Sequence, residues 1–342
     1  MKQLILSGTY YDIGCQLGRL YKANGKSLAS VLINKKLLQK QLAIYEKHYP
    51  DFVLEVKGVA AGGAYDETKT IYQFLAANLS WTLEQDVAPC FTECSIFAVE
   101  SKAGLLVGRN YDWDPVTEKI FKVYKVEPKN NYNYLAVSDM WISGARDLAS
   151  KHHYYFPIDA INEHGLYVGL TAARNYNWSY GLSSVHMIKL IAEKCKTVAE
   201  AIEIIKKTPL NCAKNFLLAD KSGQMAVIEH LSGLKFKVIH PRDGLLIKTN
   251  HFLHPDNIKV DKVKPTSNSF LRYYEIFREV NLRGAKFKQT DIIKILGRPG
   301  SHVLQDFPEI KTIWSLALNL RTGNYQIYYD LFAKRKSAKL KI

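Results

Sequence analysis

A thiol at Cys94 is followed at fixed distances by a guanidinium and a carboxylate: Arg109 stands 15 residues after it and Asp112 18 residues after it. The residues between them, Cys94-Ser-Ile-Phe-Ala-Val-Glu-Ser and Gly104-Leu-Leu-Val-Gly-Arg-Asn, read as two short strands joined by a tight turn at Ala103-Gly104. A hairpin brings its two ends together. Thiol, fixed cation and orienting acid then converge on one small volume, and these are the parts of a nucleophilic site. Each residue has a plainer alternative. Cys94 also fits a buried core thiol, and Asp112 also fits a turn cap. Cys90 is the rival nucleophile, but it precedes Phe91 and stands 19 residues before Arg109.

The elements that must hold this hairpin change character along the chain. Residues 11–49 carry a helical apolar pattern through Ile13, Leu17, Leu20, Leu28, Leu38 and Leu42, with Gly25 as its weak point. Gly14 and Gly18, four apart, lie on one helix face and permit close packing. Pro50-Asp51 starts a second helix that ends at Gly62-Gly63, and a third runs over 66–84. From Cys94 onward strands dominate, at 94–101, 104–110, 119–127, 132–138, 166–172, 215–220, 225–231, 234–239, 245–250, 312–319 and 324–330. Helices are expected at 183–196, 198–207, 267–280 and 291–296. Turns such as Glu163-His164-Gly165 and Arg242-Asp243-Gly244 link hairpins, so the pattern predicts antiparallel sheets covered by helices, an α+β fold.

Composition narrows the function classes. The 342 residues are 47% hydrophobic and 23% charged, as in ordinary soluble proteins. The N-terminal run Leu4-Ile5-Leu6 is too short for a secretory segment, and no window reaches the 18 or so apolar residues of a membrane span. The expected location is therefore cytoplasmic, unless export uses a route the sequence does not show. Five cysteines form an odd, sparse set that argues against a disulfide framework. Cys90 and Cys94 have no second Cys pair, and the next His is as distant as His152, so no metal is expected. The net charge of +15 includes a tail with Lys334, Arg335, Lys336, Lys339 and Lys341. It suits a solvated basic surface, or attraction to anionic partners such as carboxylate substrates, membrane surface or nucleic acid. No DNA- or RNA-binding motif accompanies it, so no specific nucleic-acid partner is expected.

Six segments, in order, resemble N-terminal-nucleophile (Ntn) hydrolases of the choloylglycine hydrolase and acyl-CoA:isopenicillin-N (6-aminopenicillanic acid) acyltransferase families. Ser7-Gly-Thr-Tyr-Tyr-Asp-Ile-Gly-Cys-Gln-Leu-Gly18 resembles the start of the acyltransferase-type proregion. Cys94-Ser95 with Gly108-Arg109-Asn110-Tyr111-Asp112-Trp113 resembles the nucleophile hairpin of both families. Ile161-Asn162-Glu163-His164-Gly165-Leu166 resembles their Asn-Glu-Lys-Gly-Leu turn, with His164 in place of lysine. Leu217 to Gly223, Ile247-Lys248-Thr249-Asn250-His251-Phe252 and Ser269-Phe270-Leu271-Arg272 complete the series.

The resemblance implies a four-layer αββα sandwich with a helical proregion, residues 1–93, and a catalytic domain, residues 94–342. It implies self-cleavage between Glu93 and Cys94, with both chains staying associated, and a new α-amino group on Cys94 that exchanges a proton near neutral pH. Arg109 would lower the thiolate pKa and place the substrate. Asp112 would accept from the new amino group, Asn250 would donate to the oxyanion, and Arg272 would pair with a site carboxylate. Thr171 stands where bile-salt hydrolases place an Asn, and its hydroxyl supplies at most one oxyanion donor. Asn250 and Arg272 also fit a plain loop residue and a surface helix residue, and Thr171 also fits a structural role. Trp113, Tyr176, Trp178 and Tyr180 are candidates for a substrate pocket or for core packing. The implied partner is a small-molecule N-acyl amide, with no cofactor. Hydrolysis and acyl transfer both stay open, as does homo-oligomerisation; the rival class is an uncleaved basic protein that binds membrane or nucleic acid.

Overall fold

Pro50 sits in the first turn of its helix, where its missing N–H breaks no hydrogen bond, and Asp66 caps the next helix by accepting from the Lys69 N–H. Local signals of this kind set most boundaries in the computed structural model, which describes residues 4–27, 32–76, 93–138, 155–175, 177–264 and 267–342. The N-terminal part holds β1 (Leu4–Gly8), α1 (Tyr10–Ala23), α2 (Lys35–His48), α3 (Pro50–Gly63) and α4 (Glu67–Leu75). Next come β2 (Glu93–Ser101), β3 (Gly104–Trp113), β4 (Lys122–Pro128), β5 (Tyr134–Ser138), β6 (Asp159–Asn162) and β7 (Tyr167–Ala172). They are followed by α5 (Ser184–Lys194), α6 (Val198–Lys207), β8 (Lys214–Ala219), β9 (Met225–His230), β10 (Phe236–Ile239) and β11 (Leu245–Lys248). The chain closes with α7 (Pro255–Ile258), α8 (Asn268–Arg283), α9 (Gln289–Leu296), β12 (Lys311–Asn319), β13 (Asn324–Tyr329) and β14 (Lys336–Leu340).

The strands form two sheets, ordered β1-β4-β5-β6-β7-β8-β9-β10 and β11-β2-β3-β12-β13-β14. Among the described strands only β1 and β4 pair parallel. Period-two alternation splits β2 between two cores. Cys94, Ile96 and Ala98 face the space between the sheets, while Phe97 and Val99 pack beneath α8 and α9 with Ile276, Val280, Ile292 and Leu296. Helices α5 and α6 cover the far side of the larger sheet, which gives the layer order helix, sheet, sheet, helix.

The expected 11–49 helix is two helices. The Asn24 N–H turns back to the Leu20 carbonyl, and Gly25 takes φ +65°, a left-handed value that glycine adopts without strain. The third helix runs to Leu75 with Ala76 as its C-cap; residues 77–84 of its expected span lie outside the described residues. Three strands were not foreseen: β1, β6 and β14. The last lies in the basic tail, where Ala338 and Leu340 turn inward opposite Ile327 and Tyr325 and the lysines line an outer edge.

Gly14 and Gly18 do serve close packing. A Cβ on Gly14 would stand 1.9 Å from the Glu55 carbonyl oxygen, and one on Gly18 would stand 2.3 Å from that of Val59. Both contacts are with α3 backbone, which cannot rotate away. Gly14→Ala is therefore expected to destabilise the protein by about 3 kcal/mol, the upper end for overpacking. Gly25→Ala, with open space around it, is expected to cost only about 1–2 kcal/mol through its positive φ. Thermal unfolding of the two variants checks the contrast.

Candidate active site

The β2–β3 register sets Cys94 opposite Tyr111, Ile96 opposite Arg109 and Glu93 opposite Asp112. Alternation then sends the three key groups to two sides of one sheet. Cys94 and Arg109 point between the sheets; Glu93, Ser95 and Asp112 lie on the α8 side with Arg272. The sequence brings these groups to one place, but the backbone of β2 runs between thiol and carboxylate.

Burial pushes the Cys94 thiol pKa up. The Arg109 guanidinium, and more weakly that of Arg272, offset part of this rise, and Asp112 adds to it, so the thiol stays above its ordinary value. Arg109 is held from every side. Its Nε donates to Asp159 Oδ2 at 3.2 Å, Nη1 to the Asn110 carbonyl at 2.7 Å and Nη2 to the Leu170 carbonyl at 3.0 Å. Asp159 reaches across from β6, and the Tyr167 hydroxyl donates to its other oxygen. Neither Asp159 nor Tyr167 was singled out from the sequence. The available signal was a carboxylate inside the apolar run Phe156-Pro-Ile-Asp-Ala-Ile.

Asn250 lies two residues beyond β11, where the ladder to β2 has ended. Its side chain supplies the next rung: Oδ1 accepts the Cys94 backbone N–H at 3.0 Å. Arg272 Nη2 donates to the same oxygen at 2.8 Å, and Asn250 Nδ2 donates to the Ala172 carbonyl at 3.1 Å. Two donors on one side and an acceptor on the other fix the amide orientation and leave one N–H uncommitted. Ser269, the first residue of the Ser-Phe-Leu-Arg segment, secures this loop, since its Oγ accepts the backbone N–H groups of Asn250 at 2.9 Å and His251 at 3.1 Å. The two sequence segments thus interlock. His251 stays neutral: burial, then the Lys248 and Arg272 charges, hold it down to about 3.

Arg272 is fully buried and makes a planar set of contacts suited to guanidinium. Nη1 donates to the Cys94 carbonyl and to Ser95 Oγ, and Nε stands 3.3 Å from Glu93 Oε2. The carboxylate that meets Arg272 is thus Glu93, on the residue before Cys94. Asp112 accepts from Thr312 Oγ1 at 2.6 Å through Oδ1, while its Oδ2 is buried with no hydrogen-bond partner.

Burial raises the Asp112 pKa to about 7 against the pull of Arg272 and the Thr312 hydroxyl, with Glu93 raising it further. Below pH 4 the group is protonated folded or unfolded, so it has no effect on stability. Between pH 4 and 7 the unfolded chain loses this proton first, and stability falls as pH rises. In an uncleaved Cys94→Ala background, Asp112→Asn should accordingly leave stability nearly unchanged at pH 4 and raise it at pH 8, by on the order of 4 kcal/mol. Chemical denaturation at the two pH values reads the difference.

Thr171 is a correction. Its hydroxyl donates to the Thr249 carbonyl at 2.6 Å and accepts from Asn215 Nδ2 at 3.1 Å, so its one proton is already committed and no oxyanion donor remains there. Asn162 likewise acts as a clasp: Nδ2 donates to the Ala192 and Cys195 carbonyls and Oδ1 accepts from His164 and Leu166, which ties the β6–β7 turn to the end of α5. Trp113 is half-buried and stacks on Tyr111, with ring centroids 6.0 Å apart. Trp178 and Tyr180 meet edge to face, and Trp178 is exposed. Tyr176 and Cys90 lie outside the described residues. Among the described residues no cluster of His, Cys, Asp or Glu has the grouping of a metal site.

The profile of the acyl-coenzyme A:6-aminopenicillanic acid acyl-transferase family matches residues 99–331, well over half of the sequence. The chain belongs to that family. A search of curated proteins found no match. Among solved structures, a variant of the conjugated bile acid hydrolase from Clostridium perfringens is similar at 13% identity, with a TM-score of 0.53 over 72% of this chain and 92% of that one. Penicillin V acylase from Agrobacterium tumefaciens is similar at 14% identity, with a TM-score of 0.45 over 73% and 86%. At such identities the first likeness concerns the fold alone, and that fold is of the Ntn-hydrolase type, α+β with two stacked sheets. No helix among the described residues is long and apolar enough to cross a membrane.

Proposed function

We propose that the chain cuts itself between Glu93 and Cys94 and then acts as a cysteine amidase on the linear carbon–nitrogen bond of an N-acyl substrate. One observation carries this reading: the Cys94 backbone nitrogen is held at 3.0 Å by Asn250 Oδ1, beside a thiol whose charged form the Arg109 guanidinium favours. An amide nitrogen in a strand needs no side chain to receive it. Here the acceptor is an asparagine whose orientation is locked by Arg272.

In the first step Sγ attacks the Glu93 carbonyl carbon. The C–S bond forms, the C–N bond breaks, and the thiol proton passes to the departing nitrogen. Water then hydrolyses the thioester, regenerating the thiol and leaving a carboxylate on Glu93. The products are a 1–93 chain and a 94–342 chain. The freed α-amino group keeps Asn250 Oδ1 as one acceptor and gains the partnerless Asp112 Oδ2 as a second. As a free amine it takes the thiol proton and later delivers it to the leaving amine of the substrate. The second Asn250 N–H, left uncommitted by the Ala172 carbonyl, is the donor we assign to the oxyanion. Thr171 has no part in this scheme.

The acyl-enzyme passes its acyl group to water in an amidase and to a second amine in an acyltransferase; the family's description names the latter activity. Penicillins, bile-acid conjugates, N-acyl amino acids and acyl-homoserine lactones share the scissile amide. A panel of these, assayed for released amine with and without an added amine acceptor, tests the reading. Release that disappears in Cys94→Ala supports it. An intact chain that releases no amine and resists alkylation at Cys94 counts against it, and favours an uncleaved binding protein.

A further inference from the structure

Helix α8 has two unlike faces. The inner one carries Ser269, Arg272, Ile276 and Val280 against β2 and the Asn250 loop. The outer one is apolar where solvent should meet it: Phe270 is 40% exposed, Leu271 49%, Tyr274 62%, Phe277 48% and Leu282 74%. At 100° per residue these five fall within an arc of about 140°, shared only with Arg278 and Asn281. An exposed helix of a monomeric surface ordinarily shows charge there, and a contiguous apolar stripe marks an interaction site. Beside the stripe runs a groove of about 830 Å³ whose walls include Leu245, Leu253, Tyr274 and Phe277, together with Arg242 and Asp243.

What surrounds the stripe decides between partners. Residues 259–288 hold seven lysines and arginines besides the buried Arg272, against three acidic residues. Two of those acids, Glu275 and Glu279, face Arg298, Arg283 and Arg278 in ion pairs. Exposed Lys262 and Lys264 precede the helix, and exposed Lys286 and Lys288 follow it. A second copy of the chain would bring one basic rim against another, each on a molecule of net charge +15. An anionic sheet meets the same rim with opposite charge and accepts the aromatic and leucine side chains between its headgroups.

We propose that the outer face of α8 docks on an anionic lipid surface, with the helix lying in the plane of the headgroups. Because the inner face of the same helix donates Arg272 to the Cys94 carbonyl, docking sets the site about one helix diameter from the bilayer. The proposal is independent of whether the chain cuts itself.

Co-sedimentation of the full-length protein with phosphatidylcholine vesicles, pure or doped with phosphatidylglycerol, tests it, alongside sedimentation equilibrium without lipid. The expected result is binding to the doped vesicles only, weakened by salt. Leu271→Glu with Phe277→Glu should lower that binding by at least about tenfold, since each replacement puts an anion on the apolar face. Both side chains are exposed, so folding is expected to survive, and an unchanged circular dichroism spectrum checks it. Three outcomes overturn the proposal: no binding to either vesicle, binding that the double variant retains in full, or a lipid-free dimer that the double variant dissociates.

Discussion

Cys94→Ala is expected to run as one chain of 342 residues on denaturing electrophoresis, where the unchanged protein should separate into fragments of 93 and 249 residues. The loss should be complete in both processing and turnover. Cys94 is fully buried, and the cation that most favours its thiolate is Arg109, fixed by Asp159 and two carbonyls. Removing the sulfur leaves that cation without a nucleophile to activate, and no other thiol lies on this hairpin. Folding should survive, because Cys94 and alanine are close in size and the site is walled by strands. Cleavage that persists in Cys94→Ala would move the nucleophile to Cys90 or to an external protease.

Asn250→Ala is the second large effect. The variant removes the acceptor of the Cys94 N–H, a partner of Arg272 Nη2 and the only uncommitted side-chain N–H we assign to the oxyanion. Loss of one oxyanion donor of this kind lowers kcat by about 10²–10³. Self-cleavage should slow as well, because the peptide nitrogen that must leave is no longer held. Two control measurements separate this from unfolding. The substrate KM should move far less than kcat, and Ser269→Ala, which loosens the Asn250 loop without deleting the amide, should fall between the two. An Asn250→Ala enzyme that keeps its kcat would remove Asn250 from the proposed machinery.

Much of the molecule was legible because its signals are local. The Cys94 hairpin followed from alternating apolar residues around Ala103-Gly104, and the α1–α3 contact followed from Gly14 and Gly18. The site was legible as a set of residue types at set spacings, but not as a geometry. Strand alternation puts Asp112 and Cys94 on opposite faces of β2–β3, and a spacing of 18 residues does not display that. Arg272 was expected to meet a carboxylate; only the fold shows that Glu93 stands 3.3 Å from it. Asp159 was missed because β6 is four residues long and its carboxylate acts across the gap between the sheets, a contact with no sequence period. Thr171 failed for a related reason: a hydroxyl has one proton, and which carbonyl takes it is decided by a neighbouring loop. The outer face of α8 was hidden because Phe270, Tyr274 and Phe277 also fit the pattern of a buried face.

The central claim is that the useful nitrogen of Cys94 becomes free. Sequencing the N-terminus of the purified protein's larger fragment, with its intact mass, tests this most directly. The predicted result is a chain that starts Cys94-Ser95-Ile96 and contains 249 residues. A fragment that starts elsewhere, or a single intact chain whose Cys94 does not react with iodoacetamide, would contradict it.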